Sequence, residues 1–252
     1  MVDERIEAAA RNSAGWYEAM CRAHGCSTEW IADAWLTRGT PPPYHSNMVT
    51  LRGGDSAPAQ QQLIRDILAA TPNRAFGLKD SFCCIDDDAG DGRRFDTLFT
   101  ASWIWLDASR FLPRPTCLTW SRIATNAELM EWERAWFGDN PAGAASVGAR
   151  QFPPALLADP SFAFLAGKTA DGRVSAVAAA NRKGDVVGLS NVFSGAIPAG
   201  DVWPGATQSA MNAFDPGLPL VGYERGDDLA HAVAQGFEVI GELRVLTLAP
   251  RS

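Results

Sequence analysis

Residues 218–248 read LPLVGYERGDDLAHAVAQGFEVIGELRVLTL, and their pattern predicts a strand followed by a helix and a second strand. The first strand is a short apolar run, 218–223, that is stopped by Gly226. Asp227 and Asp228 come next, and carboxylates at this place accept hydrogen bonds from the first free amides of a helix. The stretch therefore predicts a helix that begins soon after a strand ends.

The end of this helix is marked by Gly236 and Phe237. Glycine adopts the left-handed conformation that commonly ends a helix, and a hydrophobic residue beside it packs back onto the last turn. Apolar residues resume in 239–248 with the spacing of a strand. This ending resembles the C-terminal half of the GNAT (acyl-CoA N-acyltransferase) fold, in which a strand, a helix closed by Gly-Phe and a last strand recur.

The residues upstream extend this resemblance over most of the second half of the chain. After a proline-containing linker at 113–115, the patterns predict a strand at 116–123, a helix at 126–136, a hairpin of 162–168 and 173–180, a strand at 186–193 and a helix at 204–214. The hairpin is predicted by Asp171-Gly172, a dipeptide that favours tight turns. This is the element order of a GNAT domain, so the resemblance covers roughly residues 115–248.

The first half repeats part of that order. Its matching elements are predicted strands at 48–51, 76–82 and 103–106 and a predicted helix at 58–70. The resemblance therefore implies an α+β fold of two GNAT-like mixed-sheet units in tandem. The N-terminal copy, residues 1–112, is truncated, and the C-terminal copy, residues 113–252, is complete. Which copy is functional stays open.

The composition limits the partners and the compartment. The chain has 252 residues and a net charge of −7, with a pI near 5.0, so attraction to nucleic acid or to an anionic membrane is disfavoured. No apolar run approaches the ~20 residues of a membrane span, and residues 1–5 lack the layout of a signal peptide. We therefore expect a cytoplasmic protein that binds neither nucleic acid nor membrane. The sequence leaves the oligomeric state open.

The resemblance implies a binding place for acetyl-CoA or another acyl-CoA. In the family the pyrophosphate lies on backbone amides at the start of the helix after the fourth strand, because free N–H groups and the helix dipole favour an anion. The residues that match this place, and are thereby implied to bind the cosubstrate, are Val192, Phe193, Ser194, Gly195 and Gly205.

This loop departs from the family pattern. The family signature is Arg or Gln, two residues, Gly, one residue, and Gly or Ala, and the loop lacks it. Pro198 and Pro204 remove two amide donors, and Asp201 adds a negative charge. The equivalent loop of the first copy, Arg52-Gly53-Gly54, keeps a basic residue and two glycines before a helix. The alternative for that loop is a plain helix-capping turn.

Tyr223 and Glu224 are the catalytic residues that the resemblance implies, because they stand where substrate and cosubstrate meet in the family. Glu224 can take a proton from an amine, directly or through water. The alternative for Glu224 is a helix-capping or salt-bridged carboxylate. The tyrosine that protonates the departing thiolate in many family members is replaced by Ala232. Its neighbour His231 is rotated by about 100 degrees around the helix and is expected to face elsewhere.

No metal site is predicted. Asp86, Asp87, Asp88 and Asp91 are closely spaced, as a calcium site requires, but the later ligand positions of a calcium loop do not match. The three histidines lie far apart, and the five cysteines form no Cys-x-x-Cys pair, which argues against zinc. We therefore interpret the acidic cluster as a solvated turn.

Two functions stay open. The first is an acyl-CoA-dependent N-acyltransferase acting on an unidentified small-molecule amine or peptide N-terminus. In that reaction the amine attacks the thioester, strand-edge amides stabilise the oxyanion and a carboxylate takes the proton. The second is a catalytically degenerate GNAT-like protein that binds a small molecule or a protein partner. The degenerate loop and Ala232 favour the second function, while the fold permits both.

Overall fold

A computed structural model describes residues 4–138, 150–215 and 217–250. The chain forms two units: unit 1 comprises Met1–Trp103 with Ile240–Ser252, and unit 2 comprises Ile104–Val239. This division differs from the predicted boundary between residues 112 and 113. It differs in two ways: residues 104–112 group with unit 2, and the greater part of the last strand groups with unit 1.

Unit 1 is an α+β unit with a mixed sheet. Its described elements are helix α1 (Glu4–Ala23), strands β1 (Ser27–Trp30), β2 (Ala34–Arg38) and β3 (Met48–Thr50), helix α2 (Ala57–Ala70), strand β4 (Phe76–Asp80), the first part of β5 (Asp96–Leu106) and most of β11 (Glu238–Leu248). β3 and β4 pair in parallel. The pairs β1 with β2, β2 with β3, and β4 with β11 are antiparallel.

Apolar packing explains why β11 lies in unit 1. Leu246 and Leu248 of β11 stand opposite Leu78 and Phe76 of β4, and all four side chains are buried in one cluster beneath α2. Arg244 extends this ladder and donates to the buried carboxylate of Asp80 at 2.9 Å. The sequence predicted the strand correctly, but alternation of apolar residues does not specify which strand becomes its neighbour.

Unit 2 is also α+β with a mixed sheet. Its described elements are strand β6 (Thr119–Arg122), helix α3 (Asn126–Phe137), strands β7 (Phe162–Lys168), β8 (Val174–Lys183) and β9 (Val186–Ser194), helix α4 (Ala199–Asn212), strand β10 (Leu220–Glu224) and helix α5 (Gly226–Ala234). The strands β6, β7, β8 and β9 form antiparallel pairs in sequence order. β10 is parallel to β9.

The start of α3 is fixed by a capping box between Thr125 and Glu128. The Glu128 amide donates to Thr125 Oγ1 at 3.2 Å, and the Thr125 amide donates to the Glu128 carboxylate at 3.0 Å. These two reciprocal bonds satisfy amides that have no partner within the helix. The predicted hairpin turn is confirmed, since Gly172 has a φ of 85° between β7 and β8.

Helix α4 begins at Ala199, earlier than the predicted start at Pro204, so Pro204 lies inside the helix. Proline normally disfavours a helix interior because it lacks an amide donor. Here Val202 and Trp203 precede the proline and are almost completely buried, as are Ala206 and Ala210 after it. Burial of this continuous apolar face offsets the lost hydrogen bond.

Helix α5 begins at Gly226, and its N-cap is Arg225 rather than an aspartate. The prediction that Asp227 and Asp228 cap the helix is therefore wrong. Both lie inside the first turn, where their charge interacts favourably with the helix dipole. The predicted end is confirmed, because Gly236 has a φ of 99° and Phe237 is buried against the core.

No helix within the described ranges is both long enough and apolar enough to cross a membrane.

Candidate functional site

The parallel strands β9 and β10 of unit 2 are paired over a short distance. Their register pairs are Leu220 with Val187 and Val221 with Gly188. One residue further along β10, Gly222 lies so close to β9 that a Cβ on it would stand 2.8 Å from the Leu189 carbonyl oxygen. Continuing the register by three residues (221 to 224, 188 to 191) sets Glu224 opposite Asn191, beyond the last register pair.

A β-bulge in β9 lies a few residues beyond the last parallel pair with β10. On the β8 side, Ala179 pairs with Ser190 but Val177 pairs with Phe193, so β9 contains one extra residue. Asn191 has a φ of 54°, which is the left-handed conformation that asparagine tolerates better than most residues. A bulge bends its strand and interrupts the ladder. It therefore turns the end of β9 away from a regular path beside β10.

The loop after β9 leads to a helix start without a side-chain cap. The Ser194 hydroxyl donates to the Ile197 carbonyl at 2.5 Å, which closes the loop. Pro198 is the N-cap of α4, and no described side chain caps the helix there. Gly200 in the first turn has no Cβ. The Asp201 amide donates to the Pro198 carbonyl at 2.9 Å. The amides of Ala199 and Gly200 are therefore the candidate donors to an anion at this helix N-terminus.

Four of the five predicted cosubstrate-binding residues lie together, at the end of β9 and in the loop after it. Val192 packs its side chain against the buried cores of the unit, so only its backbone is available to a ligand. Phe193 is 39% exposed. A Cβ on Gly195 would meet nothing within 4 Å, which leaves open space beside the backbone.

Gly205, the fifth predicted residue, does not lie in this loop. It is buried inside α4, and a Cβ on it would stand 2.0 Å from Nε1 of Trp120 on β6. The absence of a side chain therefore lets the Trp120 ring pack on the helix. The sequence prediction placed Gly205 at the start of the helix, because Pro204 was taken as the first helical residue.

We expect Gly205→Ala to destabilise the protein. Alanine is favoured over glycine in a helix by about 1 kcal/mol, but the added methyl group overlaps the Trp120 ring, and overpacking typically costs about 1–3 kcal/mol. Urea unfolding is expected to give a lower midpoint for Gly205→Ala. Gly195→Ala, which adds a methyl group in open space, is the control with an unchanged midpoint. Equal midpoints for the wild type and Gly205→Ala would contradict this packing role.

Glu224 at the end of β10 is a half-buried carboxyl group. Burial raises the pKa of Glu224 to about 8, and the negative charge of Asp228 on α5 acts in the same direction. Glu224 has the same parity on β10 as Leu220, which is buried in the core with residues of α4 and α5. Near neutral pH this group therefore exchanges a proton readily, as a general base or acid requires.

Tyr223 and Glu224 are successive residues of one strand, so their side chains leave on opposite faces of the sheet. The structure therefore does not bring the two predicted catalytic groups together on one face. Ala232, at the place of the family tyrosine, is 0% exposed within the core. Alanine at this position cannot donate a proton to a leaving thiolate.

His231 is a candidate ligand-binding residue for which the sequence predicted no role. Its imidazole lies beside the first turn of α4, where Nδ1 would be 3.7 Å from a Cβ placed on Gly200. An imidazole N–H at this place can donate to an anion held on the helix N-terminus. His231 lies one residue before Ala232 on α5, so its side chain points in a different direction and faces α4. Helical spacing predicts the difference in direction but not which helix lies there.

The matching loop of unit 1 is used for packing. A Cβ on Gly53 would stand 2.8 Å from the Phe82 ring, and the Arg52 carbonyl accepts from Gln60 Nε2 at 2.7 Å. Ser56, the N-cap of α2, donates its hydroxyl to Asp33 at 2.9 Å. These contacts make the loop a packed turn rather than an open phosphate loop, although the Ser56 side chain does not cap α2.

Within residues 4–138, 150–215 and 217–250, no group of three or more His, Cys, Asp or Glu side chains is arranged to hold a metal ion. Asp86 and Asp88 of the predicted acidic turn accept hydrogen bonds from nearby backbone amides, at 2.9 Å and 2.8 Å. Asp91 pairs with Arg93 at 2.6 Å. These bonds are those of a turn that is held by its own side chains.

Solved structures share the fold of this chain. A GCN5-related N-acetyltransferase from Kribbella flavida has a TM-score of 0.59 at 16% identity, covering 97% of this chain and 96% of that one. A tandem GNAT protein from the clavulanic acid biosynthesis pathway has a TM-score of 0.55 at 13% identity, with coverage of 97% and 98%. A Novosphingobium aromaticivorans protein assigned to the GNAT family has a TM-score of 0.55 at 10% identity, with coverage of 98% and 99%.

No family model matches the sequence, and no curated protein matches it. At identities this low the structural likeness shows the fold alone. The chain therefore has a GNAT-like α+β fold with a mixed sheet.

Proposed function

We propose that the protein is an acyl-CoA-dependent N-acyltransferase and that its reaction takes place in unit 2, where β9 parts from β10. The observation that carries this proposal is the bulge at Ser190 and Asn191, because it lies beyond the last pair of β9 with β10 and leads to an uncapped helix. An extended ligand such as pantetheine adds to a strand edge, and its pyrophosphate finds amides at the start of α4. Fold likeness to N-acetyltransferases supports the proposal.

The residues present fit an acyl-CoA with two departures. Gly195 leaves open space for phosphate oxygens, and His231 adds a donor at the start of α4. Asp201 lies in the first turn of α4, and its charge repels a pyrophosphate, which lowers affinity. Ala232 cannot protonate a leaving thiolate. We propose acetyl-CoA as the acyl donor and a small-molecule amine or a peptide N-terminus as the acceptor.

The proposed mechanism uses Glu224 as the general base. The amine nitrogen attacks the carbonyl carbon of the thioester, and the Glu224 carboxylate takes the proton that the nitrogen loses. Backbone amides at the released edge of β9 stabilise the oxyanion that forms. The C–S bond then breaks, and the thiolate leaves and is protonated by Glu224 or by water, since Ala232 has no proton to give.

Titration calorimetry with acetyl-CoA tests the site. We expect the wild type to bind and Gly200→Ala to bind within a few-fold, because a Cβ there meets only ordinary contacts, at 3.7 Å. Gly200→Asp is expected to lose about tenfold or more in affinity through repulsion of the pyrophosphate, while aspartate in a first turn preserves the helix. Failure of the wild type to bind millimolar acetyl-CoA would overturn the proposal.

Ala232 favours a second candidate function, a degenerate GNAT-like protein that binds a small molecule or a protein. Release of CoA thiol, followed with a thiol reagent across a panel of amines and peptides, separates the two functions. An acyltransferase releases thiol only when an acceptor is present. Binding of acetyl-CoA without release for any acceptor would favour the second function.

We further propose that the units are tandem copies, the N-terminal one partial. Unit 1 pairs β3 and β4 in parallel around α2, and unit 2 pairs β9 and β10 in parallel around α4. The packed loop at Gly53 supports unit 2 as the functional copy. The net charge of −7 disfavours nucleic-acid and anionic-membrane partners, and we propose a cytoplasmic location.

A further inference from the structure

Asn191 is held in its left-handed conformation by two side-chain hydrogen bonds. Its Oδ1 accepts from the indole Nε1 of Trp136 at 3.1 Å, and its Nδ2 donates to Ser190 Oγ at 3.0 Å. The orientation of the amide is determined, because an indole N–H can only donate. Both hydrogen bonds act at the bulge, where β9 would otherwise be free to return to a regular path.

Trp136 is itself fixed by aromatic packing on α3. Its ring meets Phe137 and Phe152 edge to face, with centroids 5.0 Å apart in both pairs. At the end of the same helix, a Cβ on Gly138 would stand 3.3 Å from the Phe193 ring, on the far side of the bulge. The end of α3 therefore contacts β9 at two points that flank Val192.

A left-handed non-glycine residue costs roughly 1 kcal/mol or more and persists only where its surroundings hold it in place. Ser190 and Asn191 are successive residues, yet their side chains are bonded to each other, as at a bulge. No helix cap or turn requires this conformation of Asn191, because it lies within β9. The conformation of Asn191 sets the direction of the β9 backbone amides beyond the last pair with β10.

We infer that Trp136 and Asn191 are positioning residues: the hydrogen bond between them aims the β9 amides at the carbonyl oxygen of a bound thioester. This inference rests on the proposed function, because it concerns the same site. Neither side chain takes a proton or touches the reacting atoms. Both act through the backbone of β9, whose orientation decides how strongly the thioester carbonyl is polarised.

Isotope-edited infrared spectroscopy of acetyl-CoA labelled with 13C at the carbonyl tests the inference without any acceptor. In the wild type the carbonyl stretch is expected to move to lower wavenumber on binding. Trp136→Phe and Asn191→Gly are expected to lose at least half of that shift and about tenfold in acyl-transfer rate, with acetyl-CoA affinity nearly unchanged. Asn191→Asp keeps an acceptor for the indole N–H and is expected to retain the shift.

Trp132→Phe is the matched control. Trp132 lies on the same helix, but its Nε1 donates to the carbonyls of Leu165 on β7 and Ala178 on β8 and not to a residue of β9. This variant is expected to lose stability while keeping the wild-type carbonyl shift. An unchanged shift in both Trp136→Phe and Asn191→Gly would refute the positioning role alone. Failure of the wild type to bind labelled acetyl-CoA would instead refute the proposed function and, with it, the inference.

Discussion

Glu224→Gln is expected to lower the acyl-transfer rate by about 10²-fold or more, because glutamine keeps the shape of the side chain but cannot take a proton. Acetyl-CoA binding is expected to stay within a few-fold of the wild type, since the carboxyl group acts on the amine rather than on the phosphates. The measurement is acceptor-dependent release of CoA thiol. Loss of binding together with loss of rate would show that Glu224 supports the site rather than the chemistry.

The pH dependence of the wild type follows from the direction of the shift. Burial raises the pKa of Glu224 to about 8, so the carboxylate that acts as a base is the minor form at pH 7. The rate is expected to rise with pH and to level off above about 8. Asp228→Asn removes a negative charge that acts on Glu224, so this variant is expected to move the rise to lower pH.

The same shift predicts that Glu224→Gln stays folded. A carboxyl group whose pKa is higher in the folded state than in the unfolded state contributes stability below its unfolded pKa of about 4.5, and this contribution is lost as pH rises through about 8. Glutamine avoids that loss. Glu224→Gln is therefore expected to be at least as stable as the wild type at pH 8–9, by chemical unfolding. A variant that is less stable there would place the carboxylate in an ion pair.

Local rules predicted the elements whose ends are set by neighbouring residues. The turn at Gly172 and the helix end at Gly236 each depend on a few consecutive side chains, and both are present. The prediction that the helix starts at Asp227 was wrong because the residue types that cap a helix also favour its first turn.

The centre of the candidate site could not be predicted in this way. Nothing in the sequence around Asn191 distinguishes a bulge from a regular strand, because the extra residue exists only relative to the pairing with β8. The acceptor of the Trp136 indole likewise depends on how α3 packs. Glu224 was identified from the resemblance, but its raised pKa arises from burial that no residue spacing encodes.

The role of glycine was the other source of error. Gly205 was assigned to a phosphate loop because glycine is common there, whereas in the structure it gives room to Trp120. Close approach of a ring and close approach of a phosphate both require the absence of a Cβ, so composition cannot separate them. The glycine at the helix start is Gly200, to which the sequence assigned no role.

Lys79→Met is expected to stabilise the protein by about 3 kcal/mol at pH 6 and by little at pH 10. Lys79 of β4 is 0% exposed in unit 1, and its Nζ donates to Ser13 Oγ at 2.8 Å and lies 4.4 Å from the centre of the Tyr17 ring. Burial lowers the pKa of Lys79 to about 7. Methionine fills a similar volume without the cost of burying a charge.

The pH window follows from the sign of this shift. A lysine whose pKa is lower in the folded state contributes stability above its unfolded pKa of about 10.5, and this contribution is lost as pH falls through about 7. Each unit of the shift corresponds to about 1.4 kcal/mol, so the full effect is several kcal/mol. Burial lowers the pKa of the nearby His45 to about 4, so His45 stays neutral throughout this window.

Urea unfolding at pH 6, 8 and 10 measures the difference between the Lys79→Met variant and the wild type. Lys183→Met is the matched control, because Lys183 is exposed at the end of β8 and its removal is expected to change stability equally little at each pH. A stability difference for Lys79→Met that stays constant from pH 6 to pH 10 would mean that Lys79 remains charged in the folded protein. A difference that grows as pH falls would show that the pKa of Lys79 is lowered in the folded protein, as its burial predicts.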